Sequence, residues 1–257
     1  MVSNLKIASE VQYNLITEIS QLNDNLEQKV ADRTETIQAQ SLELEKQILV
    51  AQKIQSSLLP AVIPDIQNAS VNFLYQPMMG VGGDFIDIHY RTKRELILFI
   101  CDVSGHGIPA AFLATMVKMT LHTCFEKKLS PDDALQMIWT TLRGKMSGHF
   151  ISAIYSKIDL NTGIMTIANA GHLSPICISN DGSVKNIFIK GRVISENIPL
   201  KVEQQKIKLN SGDKFLFYTD GVTEARNSEN EMLGEEKLFD ILEKNHTLST
   251  ELLCNTI

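Results

Sequence analysis

Three aspartates stand where an apolar run meets a glycine-rich turn: Asp84 in VGGDFIDIHY, Asp102 in LILFICDVSGHG and Asp220 in KFLFYTDGVTEA. A strand that ends in Asp beside Gly points a carboxylate out of the sheet edge, and the glycine lets other backbone come close. Three such ends from distant parts of one chain suggest a single pocket lined with oxygen ligands. Clustered carboxylates repel one another unless a cation lies between them. With no Cys or paired His beside them, the expected cation is hard, Mg²⁺ or Mn²⁺. In DVSGHG, Asp102 is placed to bridge two cations, with the Val103 carbonyl in reach of one. Gly105 and Gly107 permit the tight turn, and the helix N-terminus that follows faces an anion such as phosphate.

These residues need a framework, and the chain has length for one sizeable domain plus an extension, 257 residues. A net charge of −6, from 24 basic and 30 acidic side chains, argues against a nucleic-acid-binding surface. Cys101, Cys124, Cys177 and Cys254 lie far apart and form no CxxC, which predicts reduced, mostly buried thiols in a cytoplasmic protein. The apolar runs, such as LILFIC, read as strand-sized, so no membrane-spanning segment is expected. The N-terminus carries Glu10 and Glu18 and has no signal-peptide core. A sensor would have to lie upstream or on another chain.

Residues 1–59 read as a long helix. Leu15, Ile19, Leu22 and Leu26 step by four and three, and Val30, Ile37, Leu44, Ala51 and Leu58 continue by sevens. The stripe predicts a coiled-coil homodimer, with a stutter at Val30 and weak seam positions at Thr34, Ser41 and Gln55. Pro60 and Pro64 are expected to stop the helix. Residues 60–257 then read as one α+β domain. VNFLYQP, FIDIHY, ELILFICDV, FISAIYSKID, GIMTIANA, SPICIS, QQKIKL and DKFLFYTD have strand character. Helices are predicted over IPAAFLATMVKMTLHTCFEKK, over SPDDALQMIWTTLRGKM with Ser130 as N-cap, near 235–245, and from Ser249.

Taken together, AQKIQSSLLP, GGDFID, DVSGHGIPAA, NAGHLSPI and YTDGVTEARN resemble, in order, the bacterial metal-dependent (PPM-type) serine/threonine phosphatases of the sporulation-protein-E and stress-response-regulator type. The resemblance runs from about Ala51 to the end of the sequence. It implies two sheets packed face to face with helices outside, and a two-metal site at one end. It further implies hydrolysis of phosphoserine or phosphothreonine on a partner protein, an anti-sigma-factor antagonist, by water activated between two Mn²⁺ or Mg²⁺ ions. Carried over by position, Asp102 bridges the metals, Asp84 binds one and Asp220 the other, and Val103 offers its carbonyl.

The remaining candidates each fit two roles. Asp87 suits a supporting acid or a surface strand position, and Glu224 suits an anchor for the Asp220 loop or plain solvent exposure. His106 and His172, in glycine turns, suit a proton donor to the leaving group or a loop clasp. Asn169 is expected to cap its turn, and Met116 and Met119 to pack in the core. The family pattern continues past the last helix with an Asp-Asp turn and a closing strand, which this sequence does not reach, so one metal is expected to lack a carboxylate. The competing expectation is therefore a non-catalytic, phosphatase-like dimeric binding module. A diguanylate cyclase, suggested by Gly82-Gly83-Asp84-Phe85, is excluded by the missing acidic residue between Asp and Phe.

Overall fold

The computed structural model describes every residue except Met1, Ala61, Pro64, Met78 and Met79, with the side chains of residues 2–9 also outside the description. The expected helix stop at Pro64 falls among these. The chain separates into two units, Met1–Ala51 and Gln52–Ile257.

The described residues of the first unit are all helical and form part of α1 (Val2–Ser56). Its predicted stripe is exposed along the single chain, from Leu15 through Leu26 and Val30 to Leu44.

In the second unit α1 ends at Ser56, four residues before Pro60, as the residues ahead of a proline leave the helical region. Two expected seam positions serve the domain instead. Gln55 is buried, and Leu58 packs against the domain core.

One antiparallel sheet has the order β1-β2-β3-β4-β7 and contains β1 (Phe85–Arg91), β2 (Glu95–Val103), β3 (Ile151–Asp159), β4 (Ile164–Ala170) and β7 (Gln204–Lys208). The second has the order β6-β5-β8, from β5 (Ile176–Ile178), β6 (Val184–Asn186) and β8 (Lys214–Leu216). Hairpins at Gly163 (φ 61°) and Gly182 (φ 87°) use the turn chemistry that the sequence predicts.

Period-two alternation sorts the strand residues into layers. Ile97, Phe99, Cys101 and Val103 of β2, with Tyr155 and Ala168, bury against α2 (Ile108–Glu126) and α3 (Pro131–Leu142). Leu96 and Ile100 of the same strand face the other way, with Ile154, Ile167, Phe215 and Phe217, into the space between the sheets. The outer face of the second sheet, through Ile176, Ile178 and Tyr218, takes α5 (Gly234–Lys244) and α6 (Thr250–Thr256). The result is the expected helix–sheet–sheet–helix stack.

Helix α2 is apolar and long enough to cross a membrane by composition alone. Its predicted face (Ala110, Ala114, Val117, Leu121, Cys124) is fully buried in the first core, which accounts for that composition. Met119 does not join it and is 65% exposed. The expected strand at residues 71–77 does not form. Alternating apolar residues become a strand only where a neighbour completes the ladder. Here Asn72 instead meets α6, its side-chain amide donating to Thr250 Oγ1 at 2.5 Å.

Candidate active site at the mouth of the sandwich

Asp84 immediately precedes β1, and Asp102 is the penultimate residue of β2. The antiparallel register Phe85↔Cys101, continued by one pair, sets Asp84 directly across from Asp102. On the other side of β2, Asp102 is paired with Ser152 of β3. Directly opposed residues share a face, and by alternation this is the inter-sheet face. A polar row of Asp84, Asp102 and Ser152 thus closes the end of the apolar layer between the sheets.

Glycine makes the row possible. A Cβ on Gly83 would lie 2.4 Å from the Val103 carbonyl oxygen, so the segment carrying Asp84 packs on the segment carrying Asp102 only without a side chain there. Gly105 (φ 89°) and Gly107 (φ 78°) turn the chain from β2 into α2, as the sequence predicts. The turn is pinned from the segment just before β3: Phe150 N–H donates to Ser104 Oγ at 2.9 Å, and His149 Nδ1 lies 2.5 Å from Ser104 O.

Asp220 comes from the other side. It opens α4 (Asp220–Thr223), one short turn after β8, and is exposed. Its neighbour Thr219 donates from Oγ1 to Asp84 Oδ2 at 3.0 Å, joining the two limbs.

The three carboxylates feel one another. Burial, then the charges of Asp84 and Asp220, push Asp102 up to about 7. Asp84 is also raised, first by burial and then by Asp220, against the lowering effect of the Thr219 hydroxyl. The donor set of carboxylate and peptide carbonyl, free of thiol and imidazole, suits a hard divalent ion. Among the described residues, no three acidic, imidazole or thiol side chains converge closely enough to cage a metal as they stand.

The supporting residues sort clearly. Asp87 is not a surface acid; it is 5% exposed, accepts from Lys118 Nζ at 2.8 Å, and fastens β1 to α2. His106 is exposed on the turn, and Glu224 is exposed at the end of α4. His172 is buried, and burial holds its imidazole near 4, so it is neutral and closed to a leaving group. It acts as a clasp. Asn169 brackets it as expected, accepting from His172 N–H at 2.7 Å and donating to His172 O at 2.9 Å.

Four contributors escape the sequence reading. Gln55 donates to Gly82 O at 2.7 Å and accepts from Gly82 N–H at 3.1 Å, holding the strand entry two residues before Asp84. Tyr75 donates to Asp84 O at 3.2 Å. Thr219 and Ser152 complete the set. Only Thr219, beside Asp220, carried a sequence signal; the others depend on register and long-range packing. A cavity of about 500 Å³ opens elsewhere, along Asp87, His89 and Lys118, and includes none of the three aspartates. The carboxylate chemistry, not cavity size, marks the site.

Residues 92–257 match the profile of stage II sporulation protein E (SpoIIE). The chain belongs to the SpoIIE family. The matched span begins at the β1–β2 turn and takes in Asp102 and Asp220, while Asp84 lies just ahead of it. Among curated relatives, Protein IcfG of Synechocystis sp. is 27% identical over 241 residues, 82% of this chain and 37% of that protein. The phosphoserine phosphatase RsbU of Bacillus subtilis is 25% identical over 226 residues, 87% of this chain and 67% of RsbU. The chain thus spans little more than a third of one of these relatives and about two thirds of the other. The solved PP2C domain of SiaA from Pseudomonas aeruginosa superposes with a TM-score of 0.71 at 19% identity, covering 85% of this chain and 88% of that domain. The SpoIIE-family domain therefore has the PP2C phosphatase fold.

Proposed function

We propose that this chain is a metal-dependent serine/threonine protein phosphatase, acting on a phosphorylated regulatory partner of the anti-sigma-factor-antagonist kind. The observation that carries the reading is the placing of Asp84 and Asp102 side by side at the mouth of the sandwich with Asp220 near them, burial and neighbouring carboxylates opposing the ionisation of Asp84 and Asp102. Asp102, Asp84, Asp220 and the Val103 carbonyl are the residues that would hold two Mn²⁺ or Mg²⁺ ions. Such ions, when bound, supply an acidified water and neutralise charge on the phosphoryl group and the leaving alkoxide. The N-terminus of α2, beside Gly107, would present its positive end to the phosphoryl oxygens. Thr219 holds Asp84 by its hydroxyl, and the Gly105–Gly107 turn keeps Cβ atoms out of the phosphate's path. The exposed stripe of residues 15–44 supports a homodimer through a coiled coil, with a sensor acting upstream and the protein residing in the cytoplasm.

The second reading, a phosphatase-like dimeric binding module, is favoured by one observation: among the described residues, no three ligating side chains converge closely enough to cage a metal. Phosphate release from a phosphoserine-bearing antagonist protein, with Mn²⁺ and with chelator, separates the two. Mn²⁺-dependent release that is lost in Asp102→Asn supports the enzyme. Partner binding with no release at any Mn²⁺ concentration supports the module.

A further inference from the structure

The polar row Asp84–Asp102–Ser152 does not end at β3. The Ser152 hydroxyl lies 2.8 Å from His172 Nδ1, and His172 Nε2 lies 3.1 Å from the Tyr218 carbonyl. Tyr218 leads into Thr219, whose hydroxyl returns to Asp84. The ring closes through both sheets, and His172 is its one link between the β3 side and the β8 side.

We propose that His172 is the positioning residue of this site, joining Ser152, the strand partner of Asp102, to the backbone that presents Thr219 and Asp220. The inference rests on the phosphatase reading and assigns the residue that sets the spacing of its carboxylates. A carbonyl only accepts, so Nε2 carries the hydrogen; in the neutral ring Nδ1 then accepts from the Ser152 hydroxyl. This tautomer uses both ring nitrogens and leaves neither for substrate. His172 is 7% exposed and acts through its neighbours rather than on the reacting atoms.

The ring is aimed by a rigid turn. Both hydrogen-bonding groups of the Asn169 amide grip the His172 peptide. Gly171, at φ 73°, lets the segment at Val193 press against the turn, where a Cβ would come within 2.6 Å of Val193 N. What His172 holds is, by contrast, thinly supported. α4 is a single turn with no fully buried residue, and of its four residues Val222 is the one that packs against the neighbouring core. Without the imidazole, the Tyr218 carbonyl and the Ser152 hydroxyl lose their shared partner, and among the described residues the Thr219–Asp84 bond is the side-chain hydrogen bond left between the Asp220 limb and the first sheet.

The test is Mn²⁺ binding by the whole chain, read from the electron paramagnetic resonance of free Mn²⁺, alongside thermal unfolding in chelator. His172→Ala is expected to weaken Mn²⁺ binding about tenfold, the scale of losing a partner that orients a metal ligand. His172→Gln, whose amide N–H can reach the Tyr218 carbonyl, should recover most of that loss, and Ser152→Ala should lose less than His172→Ala. A His172→Ala protein that melts lower yet binds Mn²⁺ as the wild type does would make His172 a packing residue and overturn the proposal. If His172→Ala fails to fold, wild-type affinity in both His172→Gln and Ser152→Ala overturns it equally. A folded His172→Gln as weak as His172→Ala also counts against it, because the Tyr218 bond would then not matter. Should the wild-type chain bind no Mn²⁺, the phosphatase reading itself falls, and this proposal with it.

Discussion

The two limbs of the site are built to different standards. Asp84 and Asp102 sit at the adjoining ends of two neighbouring strands of a five-stranded sheet, Asp84 just before the first, their separation set by register and by the contact between Gly83 and Val103. Asp220 sits on one exposed turn of helix after a three-residue strand, tied to the first limb by Thr219 and His172. Ladder pairing fixes a carboxylate to the precision of the sheet, whereas a tethered turn moves when its tether does. A site made this way holds two carboxylates by strand register and the third by a tether.

Substitution of the ligands should expose that asymmetry most strongly. Asp102→Asn is expected to lower phosphate release about a thousandfold, since it strips charge from the centre of the site. Asp220→Asn should mainly raise the Mn²⁺ concentration needed, with much of the rate returning at saturating metal. Equal, metal-independent losses in both variants would erase the distinction between a register-held and a tethered limb.

Glycine-to-alanine changes sharpen the same contrast in stability. In Gly83→Ala the new Cβ meets backbone at 2.4 Å, and the expected cost is about 3 kcal/mol of unfolding free energy. In Gly221→Ala, on the tethered limb, the nearest contact is Thr219 Oγ1 at 3.7 Å, so a change within about 0.5 kcal/mol is expected. Denaturant unfolding of the two variants checks both, and comparable losses would mean that the α4 turn is as tightly packed as the strand ends. Gln55→Ala falls between them. It removes both bonds to Gly82, with an expected cost of about 2 kcal/mol and faster hydrogen exchange at the Gly82 amide. Unchanged exchange there would show that the strand entry is held without Gln55.

The three aspartates of both limbs were equally legible in the sequence. They announce themselves because an apolar run, an Asp and a glycine turn are all local signals, and the layered fold follows from period-two alternation. The ties that hold the two limbs are not local. Ser152 becomes part of the site only through its register with Asp102, and Gln55 only through a partner 27 residues away. His172 stands in a visible glycine turn, but its role depends on burial that composition does not show. The same limit explains residues 71–77, whose alternation is strand-like but which find no ladder, and Met119, whose helical spacing does not reveal that it lies on the open face of α2.

Acidity provides a finer probe of the two limbs, because they titrate in opposite directions over one pH interval. In metal-free protein Asp102, raised from 3.8 to about 7, contributes stability that is full below its ordinary range and is lost as pH rises through about 7. His172, lowered from 6.5 to about 4, contributes stability that is full above 6.5 and is lost as pH falls through about 4. In the wild type the two trends oppose each other between these values, with Asp84 acting on the side of Asp102. Asp102→Asn should therefore unmask the His172 trend, with a melting temperature that drops more on acidification than in the wild type. His172→Gln should do the reverse, with a melting temperature that drops more as pH rises. Thermal unfolding in chelator across this interval is the check. Three parallel curves would mean that neither group carries the linkage, and that burial at the mouth of the sandwich is shallower than the packing implies.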